Sequence, residues 1–242
     1  GPATRLLPYF SGDKTYRGVV QLGLRTDSDD LEGEVLDRQQ PPQLSPSALE
    51  TALEPFRGLI QQRPPAISAV HVNGQRAYKL ARAGESVELQ ARPVTLHRLE
   101  LLHWDPELGR LELEVACSAG TYIRSLARDL GEALGCGGCL AQLQRTEALG
   151  FSLEQSVNWE QLDALPPPAL VDPLKALSHL QQHQLTAEAL AGWRCGRMQA
   201  CEPAWPIDSP VVVVGPDGNL AGMARVQASG QLQPRLVLDA AG

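Results

Sequence analysis

The chain has 242 residues, 43% hydrophobic and 20% charged, a balance that can bury a core and that excludes disordered and collagen-like classes. No apolar run approaches the roughly 18 residues that a membrane-spanning helix needs, and the first residues, GPATRLLPYFSGDK, show no basic region leading into an apolar one. The net charge of −7 argues against indiscriminate nucleic-acid binding, yet 16 of the 21 cations precede Gly150 and 18 of the 21 are Arg, so a local basic surface remains open.

Residues 16–26, rich in Val and Leu, predict a strand that runs into the acidic turn Asp27-Ser28-Asp29-Asp30. Ser45-Pro46 opens a helix, with Ser as the cap and Pro in the first turn; Leu49, Ala52, Leu53 and Phe56 share one face, and Gly58 stops it. Pro64-Pro65 breaks the chain before an extended piece, residues 66–72, and Asn73-Gly74 is the strongest short turn signal in the chain. A short helix over residues 76–82 ends at Gly84. Residues 94–102 and 111–117 read as strands. In the second, Leu111, Leu113, Val115 and Cys117 alternate with Glu112, Glu114 and Ala116, which predicts one buried and one wet face.

Thr121 is placed to cap a helix in which Ile123, Leu126, Ala127, Leu130 and Leu134 share a face, and Gly135 ends it. After Phe151 the composition shifts, and Pro166-Pro167-Pro168 marks a linker or rigid loop. A helix near residues 186–190 follows, then a hairpin of residues 211–214 and 220–226 joined by Gly215-Pro216-Asp217-Gly218. The whole reads as α+β: a mixed, mainly antiparallel sheet with flanking helices over residues 1–165, then a linker and a small β-rich module over residues 166–242.

Five cysteines form an odd set without framework spacing, which points to a reducing compartment. Cys136-Gly-Gly-Cys139 has the spacing of half a zinc site, but Cys195, Cys201 and the histidines offer no second half at a recognised spacing. These thiols read as structural, and no metal is expected.

Three segments carry candidate chemistry. The first is Asp13-Lys14-Thr15-Tyr16, leading into Leu22-Gly23-Leu24-Arg25-Thr26-Asp27. The second runs from Arg63-Pro64-Pro65-Ala66-Ile67-Ser68 to Tyr78-Lys79-Leu80-Ala81-Arg82. The third is Gly120-Thr121-Tyr122-Ile123-Arg124-Ser125-Leu126, continuing through Asp129-Leu130-Gly131. Together, in this order, they resemble the TruB family of tRNA pseudouridine synthases over almost the whole chain, and the tail resembles a divergent PUA-like RNA-binding module.

The resemblance implies a pseudouridine synthase fold and isomerisation of the T-loop uridine (position 55) of transfer RNA. A base must leave its stack before side chains reach its ribose, at a cost of a few kcal/mol. An aromatic ring must then hold the uracil, because stacking contributes roughly 1–3 kcal/mol per base. A carboxylate must act while the glycosidic bond breaks and re-forms at C5, and a cation must keep that carboxylate ionised and oriented. No cofactor is implied.

By resemblance, Tyr16 stacks on uracil, Arg124 pairs with the catalytic carboxylate, and Asp30 joins the arginine network. Tyr122 and Leu143 line the pocket, and Arg145 makes a phosphate or pocket contact. Taken alone, Tyr16 also reads as a half-buried strand tyrosine, Arg124 as a solvated helix arginine and Asp30 as a turn aspartate. Tyr122 and Leu143 equally fit ordinary core, and Arg145 surface charge. Tyr78, Lys79 and Arg82 could face RNA or serve packing.

The family's nucleophilic aspartate lies in a segment upstream of the one that Gly1-Pro2-Ala3-Thr4-Arg5 matches, so the resemblance implies an N-terminally truncated chain whose nucleophile precedes Gly1. Asp105 and Asp172, each followed by Pro, lack the Ala-Thr-Gly of that segment. The implied partner is the T-stem-loop of transfer RNA, without a membrane, for a cytoplasmic monomer. The alternative is a non-catalytic tRNA-binding protein or RNA-folding chaperone.

Overall fold

The computed structural model describes residues 2–10, 12–72, 74–85, 89–164, 166, 168–201 and 205–238. It divides into two compact units: residues 12–148 with 152–154, and residues 1–11 with 149–151 and 155–242. The geometric break thus falls earlier than the domain boundary expected at residue 165, and the first eleven residues belong to the second unit. Among the described residues, no helix is long and apolar enough to cross a membrane.

The first unit is built on a mainly antiparallel sheet. Its strands are β1 (Lys14–Leu22), β4 (Gly58–Gln62), β7 (Arg92–Asp105), β8 (Arg110–Cys117) and β9 (Gly138–Ala148), in the spatial order β9-β1-β8-β7-β4. Two short hairpins stand apart: β2 (Leu24–Thr26) with β3 (Val35–Arg38), and β5 (His71–Val72) with β6 (Gln75–Arg76). The helices are α1 (Pro46–Leu53), α2 (Ala77–Arg82) and α3 (Ile123–Ala133).

The expected alternation of β8 is present, with Leu111, Leu113, Val115 and Cys117 all buried. Their neighbours across β1 are Val20, Gly18, Tyr16 and Lys14, so the register aligns the apolar faces. Helix α3 covers this core with Leu126, Ala127 and Leu130, all fully buried. Each leucine so buried contributes about 1.5–3 kcal/mol. Gly131 and Gly138 let α3 and β9 approach until backbone meets backbone.

Several expectations need correction. The strand expected over residues 16–26 breaks at Gly23, whose φ of +80° suits glycine, and a side chain there would strike the carbonyl of Gln39. The extended piece over residues 66–72 is a strand only at His71–Val72. The first residue of the Asn73-Gly74 turn lies outside the described residues; Gly74 has φ +82°. Thr121 does not cap α3: its hydroxyl donates to the Ser118 carbonyl at 2.9 Å. Tyr122 is the cap residue, and its backbone N–H is taken by the side chain of Gln62 at 2.8 Å. Ser45 does cap α1, accepting from the Ala48 N–H at 3.2 Å.

A two-residue strand, β10 (Phe151–Ser152), precedes α4 (Trp159–Leu162), α5 (Pro173–Ala176) and β11 (Gln181–Gln184). Then come α6 (Ala187–Arg194), β12 (Gln199–Ala200), β13 (Pro210–Val214), β14 (Leu220–Val226) and β15 (Gln231–Val237). The second unit holds a sheet in the order β11-β13-β14-β15-β12, and β13 and β14 form the expected hairpin. Its four-valine run is buried on both faces. Val211 and Val213 pack with the fully buried Trp193, and Val212 and Val214 pack with Leu6 and Leu177. Leu6 explains why the first residues, expected with residues 1–165, belong here.

Candidate active site

The motif segments meet on one side of the sheet. Tyr16 lies on β1 between Val115 of β8 and Arg145 of β9, on the same face as Gly18, Val20 and Leu22. Ile123 of α3, Leu140 and Leu143 line the space beside Gly18, each 3.5 Å from where its Cβ would stand, an ordinary van der Waals distance. The N-terminus of α3 is therefore seated beside Tyr16, with Arg124 next in sequence to Ile123.

Tyr16 is half-buried against the core cluster that contains Ile123. Burial raises its phenol above the ordinary value, while a hydrogen bond from Arg145 pulls it back. Leu143, directly opposite Gly18, keeps 47% of its surface exposed although apolar. It offers an open apolar wall beside a ring. Tyr122 is placed differently: its side chain packs in a small cluster with Val70, Val72, Ala77 and Leu89. The Gln62 amide holds its backbone on both sides, also donating to the Tyr122 carbonyl at 3.1 Å.

Arg124 lines a cleft of about 480 Å³ with Ser28, Asp30, Ile67 and Arg82. Its guanidinium donates to the Ser28 carbonyl at 3.2 Å and the Ile67 carbonyl at 2.9 Å. Arg124 and Asp30 share the cleft, but among the described residues no ion pair joins them. The Asp30 carboxylate accepts from the Glu32 N–H at 3.3 Å, and its carbonyl accepts from the Thr26 hydroxyl at 2.7 Å. Tyr16, Leu143 and Arg145 thus form one group, Arg124 and Asp30 another, and Ile123 connects them.

Sequence reasoning missed the network behind Arg124. Arg128 pairs with Asp29 at 2.8 Å and Asp129 at 2.7 Å, and donates to the Arg63 carbonyl at 2.8 Å. Burial raises both carboxyls above their ordinary range, and the Arg128 charge pulls both back down. Asp29 has φ +58°, a left-handed conformation that aspartate tolerates better than most residues. An aspartate in an acidic run and an arginine in a helix give no signal of pairing across 99 positions.

Neither later Asp-Pro pair offers a nucleophile in this region. Asp105 accepts two backbone N–H groups in the turn after β7, both at 3.0 Å, and Asp172 caps α5. Cys136 and Cys139 are both buried, and burial pushes the Cys139 thiol up to about 11.

The description "TruB family pseudouridylate synthase (N terminal domain)" matches residues 1–123, and "tRNA pseudouridylate synthase B C-terminal domain" matches residues 124–167. The tRNA pseudouridine synthase B of Parasynechococcus marenigrum (strain WH8102) is 62% identical over 242 residues, spanning 100% of this chain and 82% of that one. The protein of the same name from Synechococcus sp. (strain WH7803) is 53% identical over 249 residues, spanning 100% and 83%. Among solved structures, a chain of an H/ACA RNP bound to a substrate RNA containing 2'-deoxyuridine aligns at a TM-score of 0.68 and 17% identity, covering 98% of this chain and 69% of that chain. That likeness supports the fold; the matched descriptions and the identities carry the assignment. The chain belongs to the TruB family of pseudouridylate synthases.

Proposed function

We propose that this enzyme isomerises the T-loop uridine (position 55) of transfer RNA to pseudouridine. The observation that carries the reading is the seating of Ile123 against Gly18. It puts the α3 end, with Arg124, beside the strand of Tyr16 and the wall made by Leu143. A uracil swung out of its stack lies against the Tyr16 ring, and the apolar Leu143 holds its other side. Arg145, opposite Tyr16 on β9, offsets part of the rise that burial gives the Tyr16 phenol.

Arg124 orients and keeps ionised a catalytic aspartate contributed by the family's segment that precedes the stretch matched by residues 1–5. That aspartate acts while the N1–C1′ bond breaks, the base turns, and C5 bonds to C1′. The C5 proton leaves and N1 gains one, so the isomerisation balances without an external oxidant or reductant. The T-stem-loop is the partner, the β-rich second unit adds RNA contacts, and the enzyme acts as a cytoplasmic monomer.

Unmodified transfer RNA carrying tritium at uridine C5, incubated with the complete natural protein, tests this. Expected is release of one tritium per transfer RNA, lost when the T-loop uridine is replaced by cytidine. Binding without release would establish a tRNA-binding protein instead, and release unaffected by the cytidine would move the target elsewhere.

A further inference from the structure

Helix α3 carries two arginines one turn apart, Arg124 and Arg128, and they grip the same two segments. Arg124 reaches the carbonyls of Ser28 and Ile67, at 3.2 and 2.9 Å. Arg128 reaches the carboxylate of Asp29 and the carbonyl of Arg63, both at 2.8 Å. The pairing is regular. One arginine holds each of two consecutive residues of the acidic turn, and the helical spacing of 124 and 128 is repeated in the loop as 63 and 67.

The turn has a second tether on its other side. Leu140 of β9 donates to the Asp29 carbonyl at 3.0 Å and accepts from the Leu31 N–H at 2.8 Å. Asp29 is thus fixed by backbone to β9 and by side chain to α3, in a left-handed conformation that costs up to about 1–3 kcal/mol and persists because its surroundings impose it. Arg128 supplies the imposing contact on the helix side. The Ser125 hydroxyl, donating to the Arg63 carbonyl at 2.8 Å, shares the load on the loop. With side-chain exposures of 13% and 14%, Arg128 and Asp29 are shielded from solvent, where an ion pair keeps its geometry.

We propose that Arg128 and Asp29 are positioning residues for the isomerisation: they hold the acidic turn and the 63–67 loop on α3, so that the Arg124 guanidinium stays aimed. The inference rests on the role given to Arg124 under the proposed function. Arg128 lies one helical turn behind Arg124, does not line its cleft, and acts through the two carbonyls that Arg124 uses. A displacement of about 1 Å at a reacting group can cost on the order of 100-fold in rate, whereas binding spread over a large RNA surface is nearly indifferent to it.

The test uses the complete natural protein, with single-turnover tritium release and a separate tRNA dissociation constant. Arg128→Met and Asp29→Asn are each expected to slow the chemical step by about 10-fold or more. The dissociation constant should stay within about 3-fold. The double variant should add little to Arg128→Met, because that change already removes the Asp29 contact together with those to Asp129 and the Arg63 carbonyl. Arg128→Lys should recover part of the rate, since it reaches Asp29 but cannot fork to Arg63.

Should Arg128→Met melt below the assay temperature, Asp29→Asn, which leaves Arg128 paired with Asp129, supplies the comparison. Rates within about 2-fold of the parent for Arg128→Met and Asp29→Asn would overturn the inference, and so would losses confined to the dissociation constant. Arg124→Ala is the reference. If it abolishes turnover while the Arg128 variants do not, only this inference fails. If it leaves turnover intact, the reading beneath it fails.

Discussion

Gly131 of α3 lies so close to Gly138 of β9 that a Cβ on Gly131 would collide with the backbone of Gly137 and Gly138, and one on Gly138 would come to 2.5 Å from the Ala127 carbonyl. Neither contact ends in a flexible side chain. Gly131→Ala must therefore push the helix off the strand, at a cost of about 1–3 kcal/mol. The denaturant midpoint should fall accordingly with the slope unchanged. An unaltered midpoint would show that α3 and β9 can part without cost.

The α+β architecture was legible because it rests on patterns of side-chain type. The alternation of Leu111 to Cys117 and the shared face of Ile123 to Leu130 each state their own burial. The hairpin at Gly215-Pro216-Asp217-Gly218 was legible from turn chemistry. What was not legible depends on long-range partners. Gln62 holds the backbone of Tyr122, the cap residue of α3, from 60 positions away, and nothing in residues 58–62 announces it. The place of Leu6 in the second unit is set by Val212 and Val214, far along the chain. At the site, family resemblance marked Tyr16, Arg124 and Leu143. It was silent on Arg128, whose function comes from three-dimensional pairing with Asp29.

Tyr16 combines a ring on the sheet face with a hydroxyl whose pKa feels the Arg145 side chain opposite it. Separating the two is informative. Tyr16→Ala removes the stacking surface and should lower single-turnover release by about 5- to 150-fold, the range set by roughly 1–3 kcal/mol of base stacking. Tyr16→Phe keeps the ring and should lose less. The tRNA dissociation constant should change little for either. Equal losses for Phe and Ala would assign the work to the hydroxyl.

Arg124 reaches two carbonyls with separate nitrogens, an arrangement that depends on the planar guanidinium. Lysine carries the same charge as a point donor and cannot span Ser28 and Ile67 together. Arg124→Lys and Arg124→Ala should therefore both reduce turnover by about 100-fold or more, with melting temperatures closer to the parent than the rates. Full turnover by Arg124→Lys would mean that charge alone suffices and that the fork is irrelevant.

The cysteines give a prediction on the alkaline side. Cys117, Cys136 and Cys139 are buried and Cys195 is exposed, so a maleimide at pH 8 should modify Cys195 in the native protein and reach the buried three only on unfolding. Burial raises all three buried thiols, and Cys139 rises from 9.0 to about 11. A raised value means that the folded state holds its proton more tightly than the unfolded state does. The resulting stability is complete below pH 9.0 and is lost as pH climbs through about 11. For Cys139 alone this is on the order of 2–3 kcal/mol. Denaturant midpoints measured from pH 8 to pH 11 should fall more steeply for the parent than for Cys139→Ala, which has no thiol to ionise. Parallel curves for the two proteins would show that Cys139 ionises as readily folded as unfolded, and that the space behind β9 admits water.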